Sequence, residues 1–161
     1  MNKRELVEKI IRELEKQKQD VKKRYEATRQ EVIDAPGAMQ SHSDTSKYQL
    51  SILADKIKKS VLEKEQTIQA LKQLLTSRLE EKFSVAEVDA LVEVKNQNQE
   101  KIYYFIFPGG NGLETIFKGR KIIMVSQHTP VASALLGRKV GDRVNFRVGP
   151  TTKELEIVGI R

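Results

Sequence analysis

The chain has 161 residues, 39% of them hydrophobic, enough for one domain or two small ones. It contains no cysteine, which excludes a disulfide framework, a thiolate metal site and a cysteine nucleophile. The formal charge of +7 points to an acidic partner, but the excess is spread: 18 Lys+Arg face 14 Asp+Glu in Met1–Lys82, and 11 face 8 in Ser84–Arg161.

The N-terminal MNKRELVEKIIRELEKQ carries a charge every second or third residue, unlike a signal peptide. No stretch approaches the roughly 20 apolar residues of a membrane span, so a soluble, cytoplasmic protein is expected. Up to Lys82 the chain has one glycine, Gly37, and one proline, Pro36, both in the stretch DAPGAMQSHSDTS. That composition predicts helix, loop, helix.

Heptads support the reading. Val7, Leu14, Val21 and Thr28 recur every seven residues, interleaved with Ile11, Lys18, Tyr25 and Val32. In the second segment Leu50, Ile57, Lys64 and Leu71 alternate with Ala54, Val61, Ile68 and Leu75. Two amphipathic helices of matched length, the first spanning about Lys3 to Ile33, can bury these stripes by folding back on each other or by pairing with another chain. An antiparallel hairpin in a monomer is the favoured arrangement, and it puts the Asp34–Ser46 loop at one end.

After Lys82 the period changes. VDALVEV, KIYYFIF, KIIMV, RVNFRV and KELEIVGI are short runs rich in β-branched and aromatic residues, separated by NQNQ, PGGNG and GPTT, which predicts strands and turns. One short helix is expected, with Thr129 as N-cap, Pro130 at its first position and Gly137 at its end. The fold class is α+β, with a coiled-coil hairpin over residues 1–80 and a small β-rich domain over 83–161.

Few residues here suggest chemistry. PGGNG, Pro108–Gly112, lacks the Lys-Ser/Thr and helix of a phosphate-binding loop and reads as a turn. His128 stands alone before the N-cap. Tyr103, Tyr104, Phe105 and Phe107 could stack bases, but their arrangement along one strand favours core packing.

The stretch VSQHTPVASALLGRKVGDRV, Val125–Val144, resembles the C-terminal domain of the Gre transcript-cleavage factors, GreA and GreB. Thr129, Pro130, Ala132, Leu135, Gly137, Asp142 and Val144 match position by position, and KELEIVGI matches the family's last strand. The hairpin followed by a β-rich domain extends the resemblance to nearly the whole chain. It implies a fold similar to FK506-binding proteins for the second domain. It also implies RNA polymerase as partner, docked at the rim of its secondary channel, with the hairpin tip reaching toward the active site. Thr129, Pro130, Arg138 and Lys139, with Arg143 nearby, are then the candidate partner-binding residues.

In the family, acidic tip residues help hold a second magnesium ion for cleavage of backtracked RNA; two metals can stabilise the attacking and leaving oxygens together. Anchoring on Tyr48 aligns Asp44 with the second acidic position and Ser41 with the first, so one carboxylate is kept and one lost; Thr45 and Lys47 replace the flanking Asn and Glu. Asp44 is the candidate catalytic and magnesium-sharing residue, with His42 and Asp34 as secondary candidates. Capping of the second helix is the competing role for Asp44. The resemblance implies an accessory factor rather than an enzyme, with no cofactor of its own beyond magnesium shared with the polymerase, and indirect contact with nascent RNA. A coiled-coil adaptor and, from the fold alone, a prolyl isomerase remain as alternatives.

Overall fold

The computed structural model describes residues 2–35, 46–77 and 83–161. They form two helices, α1 (Lys3–Asp34) and α2 (Ser46–Ser77), followed by β1 (Leu91–Asn96), β2 (Lys101–Ile106), β3 (Asn111–Phe117), β4 (Arg120–Val125), α3 (Pro130–Leu135), β5 (Arg143–Val148) and β6 (Thr151–Ile160). The chain divides into two compact units, one comprising residues 11–69 and the other residues 1–10 together with 70–161.

In the first unit α1 and α2 run antiparallel. Lys18 forms an ion pair with Glu65, and Lys64 Nζ donates to Gln17 Oε1 at 3.2 Å, so the two seam lysines answer polar groups of the facing helix. Ala54, Ile68, Thr28, Ile11 and Leu14 are buried. Part of the heptad stripe is thus buried between the two helices, while Val21, Tyr25, Val32, Leu50, Ile57 and Val61 are half-buried.

The second unit is built on a six-stranded sheet of order β3-β4-β2-β1-β6-β5. All neighbours pair antiparallel except β2 and β4, which are parallel. Their connection runs through β3, an edge strand that lies outside the five β-branched and aromatic runs. Its exposed Asn111, Gly112, Glu114 and Ile116 dilute the strand signal, while Thr115 and Phe117 are buried. PGGNG serves as turn and strand start: the Gly110 N–H donates to the Phe107 carbonyl at 2.8 Å, and Asn111 and Gly112 already belong to β3. Between β3 and β4, Lys118 and Gly119 take φ values of 50° and 74°, the left-handed pair that suits a two-residue hairpin turn.

The helix α3 lies on one face of this sheet. Its Val131, Ala132 and Leu135 join Val92, Val94, Tyr104, Ile106, Val144, Phe146, Leu155 and Ile157 in one apolar cluster. On the other face Leu91, Phe105, Ile122 and Met124 are fully buried, and the same unit buries Leu6, Val7, Ile10, Leu71 and Leu74 from the helix ends. Strand β2 is therefore covered on both sides. That is why all four of Tyr103, Tyr104, Phe105 and Phe107 are core residues, with the rings of Phe105 and Phe107 stacked at 5.6 Å.

Candidate functional site

The hairpin end proposed as a site is only partly within the described residues. His42 and Asp44, with most of the loop after Asp34, lie outside them. Asp34 closes α1 and is exposed; both its carboxylate oxygens accept from the Gln30 amide nitrogen, at 3.0 and 3.1 Å, one turn back. Beyond the loop, Tyr48 projects from the first turns of α2 with 71% of its surface exposed, and Ile33 at the end of α1 is 61% exposed. Farther along the hairpin an open groove of 550 Å³ lies between the helices, floored by Val21, Ala27 and Ile57 and flanked by Arg24 and Lys56.

The second candidate surface surrounds α3. Thr129 is extended (φ −73°, ψ 148°) and caps the helix: its hydroxyl accepts from the Ala132 N–H and donates to the Ser126 carbonyl. Pro130 follows at the first helical position, where its missing N–H costs nothing. The helix ends with Leu136 as C-cap, one residue before the expected Gly137. Gly137 takes φ 77°, and its N–H turns away from the helix to the Ala86 carbonyl at 2.7 Å. Arg138 and Lys139 follow in an exposed turn fixed by backbone bonds, including Lys139 N–H to the Asp142 carboxylate at 2.8 Å. Their side chains are thus presented to solvent by a rigid main chain. His128 is exposed, with Nε2 3.2 Å from the Gln127 amide nitrogen.

The clearest electrostatic feature, Glu93 on β1, was not singled out from sequence. Its side chain is 8% exposed and accepts from Lys101 Nζ at 2.9 Å and Arg161 Nη1 at 3.2 Å. Burial pushes its pKa up, but the Lys101 ammonium, the Tyr103 hydroxyl and Arg161 outweigh this and hold the carboxyl below the usual glutamate range. Lys101 is correspondingly raised by its bond to Glu93. Burial, followed by the bond to Glu93, raises Tyr103. At the helix ends Lys118 pairs with Glu5, whose pKa that bond lowers. These groups tie β1, β2 and the C-terminus together. Among the described residues, no three His, Asp or Glu side chains converge as metal ligands.

Residues 80–161, just over half of the 161-residue chain, match the family model described as transcription elongation factor, GreA/GreB, C-terminal domain. The chain belongs to the GreA/GreB family. Among solved structures, this family member is similar to "Structure of the transcription factor Gfh1", at 18% identity over 100% of this chain and 94% of that one, with a TM-score of 0.41. It is also similar to GreA factor homolog 1 (Gfh1) of Thermus thermophilus, at 20% identity over 94% of each chain with a TM-score of 0.37. A GreA/GreB factor from Nitrosomonas europaea covers 58% of this chain and 78% of its own, at 20% identity and a TM-score of 0.35. No curated protein matches the chain. Membership makes it a transcription elongation factor by family, accessory to RNA polymerase. No helix among the described residues is long and apolar enough to cross a membrane.

Proposed function

We propose that this Gre-family chain binds RNA polymerase at its secondary channel and carries the Asp34–Ser46 loop toward the polymerase active site. The observation that carries the reading is a family-matched β domain preceded by two antiparallel helices of 32 residues each. At about 1.5 Å per residue each helix is about 48 Å long, a reach that suits delivery of a loop into a deep channel. The exposed turn of Arg138 and Lys139 that follows α3, together with the Thr129–Pro130 cap at the helix's other end, is the docking surface in this reading.

Asp44 is the residue proposed to act at the polymerase centre. Magnesium prefers six oxygen ligands and is commonly held by one or two carboxylates with waters and substrate. One carboxylate from the loop would add a single ligand to an ion held chiefly by the polymerase and its RNA. Such an ion would help activate a water for cleavage of backtracked RNA. His42 is proposed to assist this water or a phosphate, and Asp34, near the base of the loop in sequence, is the secondary carboxylate candidate.

The test is transcript cleavage in purified backtracked complexes, comparing the chain with Asp44→Ala over a range of magnesium concentrations. Cleavage that is lost with Asp44 and partly restored by high magnesium supports the assignment. Binding without cleavage would make the factor a channel-occupying modulator. Absence of binding would leave a coiled-coil adaptor as the better account.

A further inference from the structure

The strand register brings together charges that are scattered in sequence. Lys95 on β1 stands directly opposite Lys101 on β2. On the parallel pair β2 and β4, Tyr103 stands beside Ile122; two residues earlier on both strands, Lys101 and Arg120 share the same face. The Arg120 guanidinium lies 5.5 Å from the centre of the Tyr103 ring, which confirms the shared face. On the other side Lys95 is in register with Glu156, and Glu156 with Arg143. One row across the sheet therefore reads Arg120, Lys101, Lys95, Glu156, Arg143.

Three cations occupy three adjacent strands, spaced about 4.8 Å apart. Like charges directly opposite each other destabilise a sheet, so this arrangement works against the fold unless something else offsets it. Lys101 is relieved by Glu93, and Arg143 lies 3.9 Å from Glu156 and 4.0 Å from Glu154. Among the described residues, no ion pair relieves Lys95 or Arg120. Arg120, Lys101 and Arg143 are exposed, Lys101 by 55% of its side chain, and Lys95 and Glu156 are half-buried, so the row reaches solvent and is open to a partner chiefly at Arg120 and Lys101.

We propose that this row is a docking surface for an acidic protein segment, and, resting on the polymerase reading above, that the segment belongs to RNA polymerase. A nucleic-acid backbone fits less well. The carboxylates of Glu93, Glu154 and Glu156 interrupt the cations and would repel a continuous polyanion. The nearby rings of Tyr103 and Phe117 are buried, at 2% and 8% exposure, and offer no platform for bases. An acidic protein segment presenting two spaced carboxylates against Arg120 and Lys95 complements the two cations that no described ion pair relieves, while Glu156 already faces Arg143.

The experiment is equilibrium binding of the full chain to RNA-free core polymerase and to RNA-containing complexes at several salt concentrations. Lys95→Gln with Arg120→Gln is compared with Lys121→Gln with Lys153→Gln, whose side chains leave from the opposite face. The row variant is expected to bind core polymerase roughly tenfold more weakly at low salt, with a shallower salt dependence, while the opposite-face variant binds as the parent does. Lys95→Gln alone, which disturbs no described ion pair, should show a smaller loss of the same kind and guards against misfolding of the double variant. Equal binding by row variant and parent would overturn the inference and leave the polymerase reading standing. So would an equal loss in the opposite-face variant, which would mean a general charge effect. A loss confined to RNA-containing complexes would reassign the row to nucleic acid. If the parent chain itself does not bind polymerase, the reading fails and the inference with it.

Discussion

Gly110 should be among the least replaceable positions in the sheet. A Cβ added there would sit 2.1 Å from the Val125 carbonyl carbon and 2.4 Å from the Ser126 nitrogen, both backbone atoms that no rotamer change can move. The contact falls where the Phe107 N–H donates to the Val125 carbonyl at 2.9 Å, at the end of the parallel β2–β4 pairing. Gly110→Ala must push β4 and the turn apart, and overpacking of this kind costs about 3 kcal/mol. Gly112, two residues on, is a matched control: its φ is 78° and nothing lies within 4 Å of an added Cβ. Gly112→Ala should cost only the left-handed backbone penalty, about 1 kcal/mol. In a chain of this size these losses correspond to falls in Tm of roughly 6–12 °C and roughly 2–4 °C respectively. The buried Tyr103 and Tyr104 report on the sheet by near-ultraviolet circular dichroism. A Gly110→Ala protein that melts at or above the Gly112→Ala protein would refute the close-approach argument.

Glu93→Gln should destabilise the sheet by about 1–2 kcal/mol at neutral pH, a figure discounted because Lys101 and Arg161 are half exposed. Because the folded pKa of Glu93 is depressed, its contribution is fully present above the ordinary glutamate value of 4.5 and fades as pH falls through the lower folded value. Urea titrations of parent and variant should therefore converge in acid; a gap that is constant with pH would contradict the ion-pair account. Lys18→Met and Glu65→Gln in a double-mutant cycle should show a coupling of about 0.5 kcal/mol, since the pair is only partly shielded from water. Additive effects would mean that the pair does not help set the hairpin register. Thr129→Ala should cost about 1 kcal/mol through loss of the α3 cap, read as a lower urea midpoint for the sheet. Thr129→Ser should recover most of it, and failure of that rescue would move the role of Thr129 from its hydroxyl to its methyl group.

Elements whose signal is local are legible in the amino-acid order alone. Heptad spacing marked α1 and α2 because a helix repeats its face every few residues, whatever lies across from it. The Thr129-Pro130 start of α3 was legible for the same reason: an N-cap bonds only to its own first turn. The match from Val125 to Val144 then connected the β domain with its family. Leu6, Ile10 and Leu74 lie off the heptad stripe yet are buried, because the helix ends belong to the same compact unit as the sheet. Strand β3 escaped notice because an edge strand has one solvent side and little reason for a continuous apolar run.

Which strands are neighbours is settled by the packing of the folded sheet. The parallel pairing of β2 with β4, across an intervening strand, is what sets Arg120 beside Lys101 and Lys95. The same packing has Glu93 held by Lys101 and by Arg161, 68 residues away. Period-two alternation tells which residues share a face within one strand, but the facing residues on other strands are fixed by register. Register depends on the packing of the whole sheet and on its turns, so charges far apart in the chain meet only once that packing is formed.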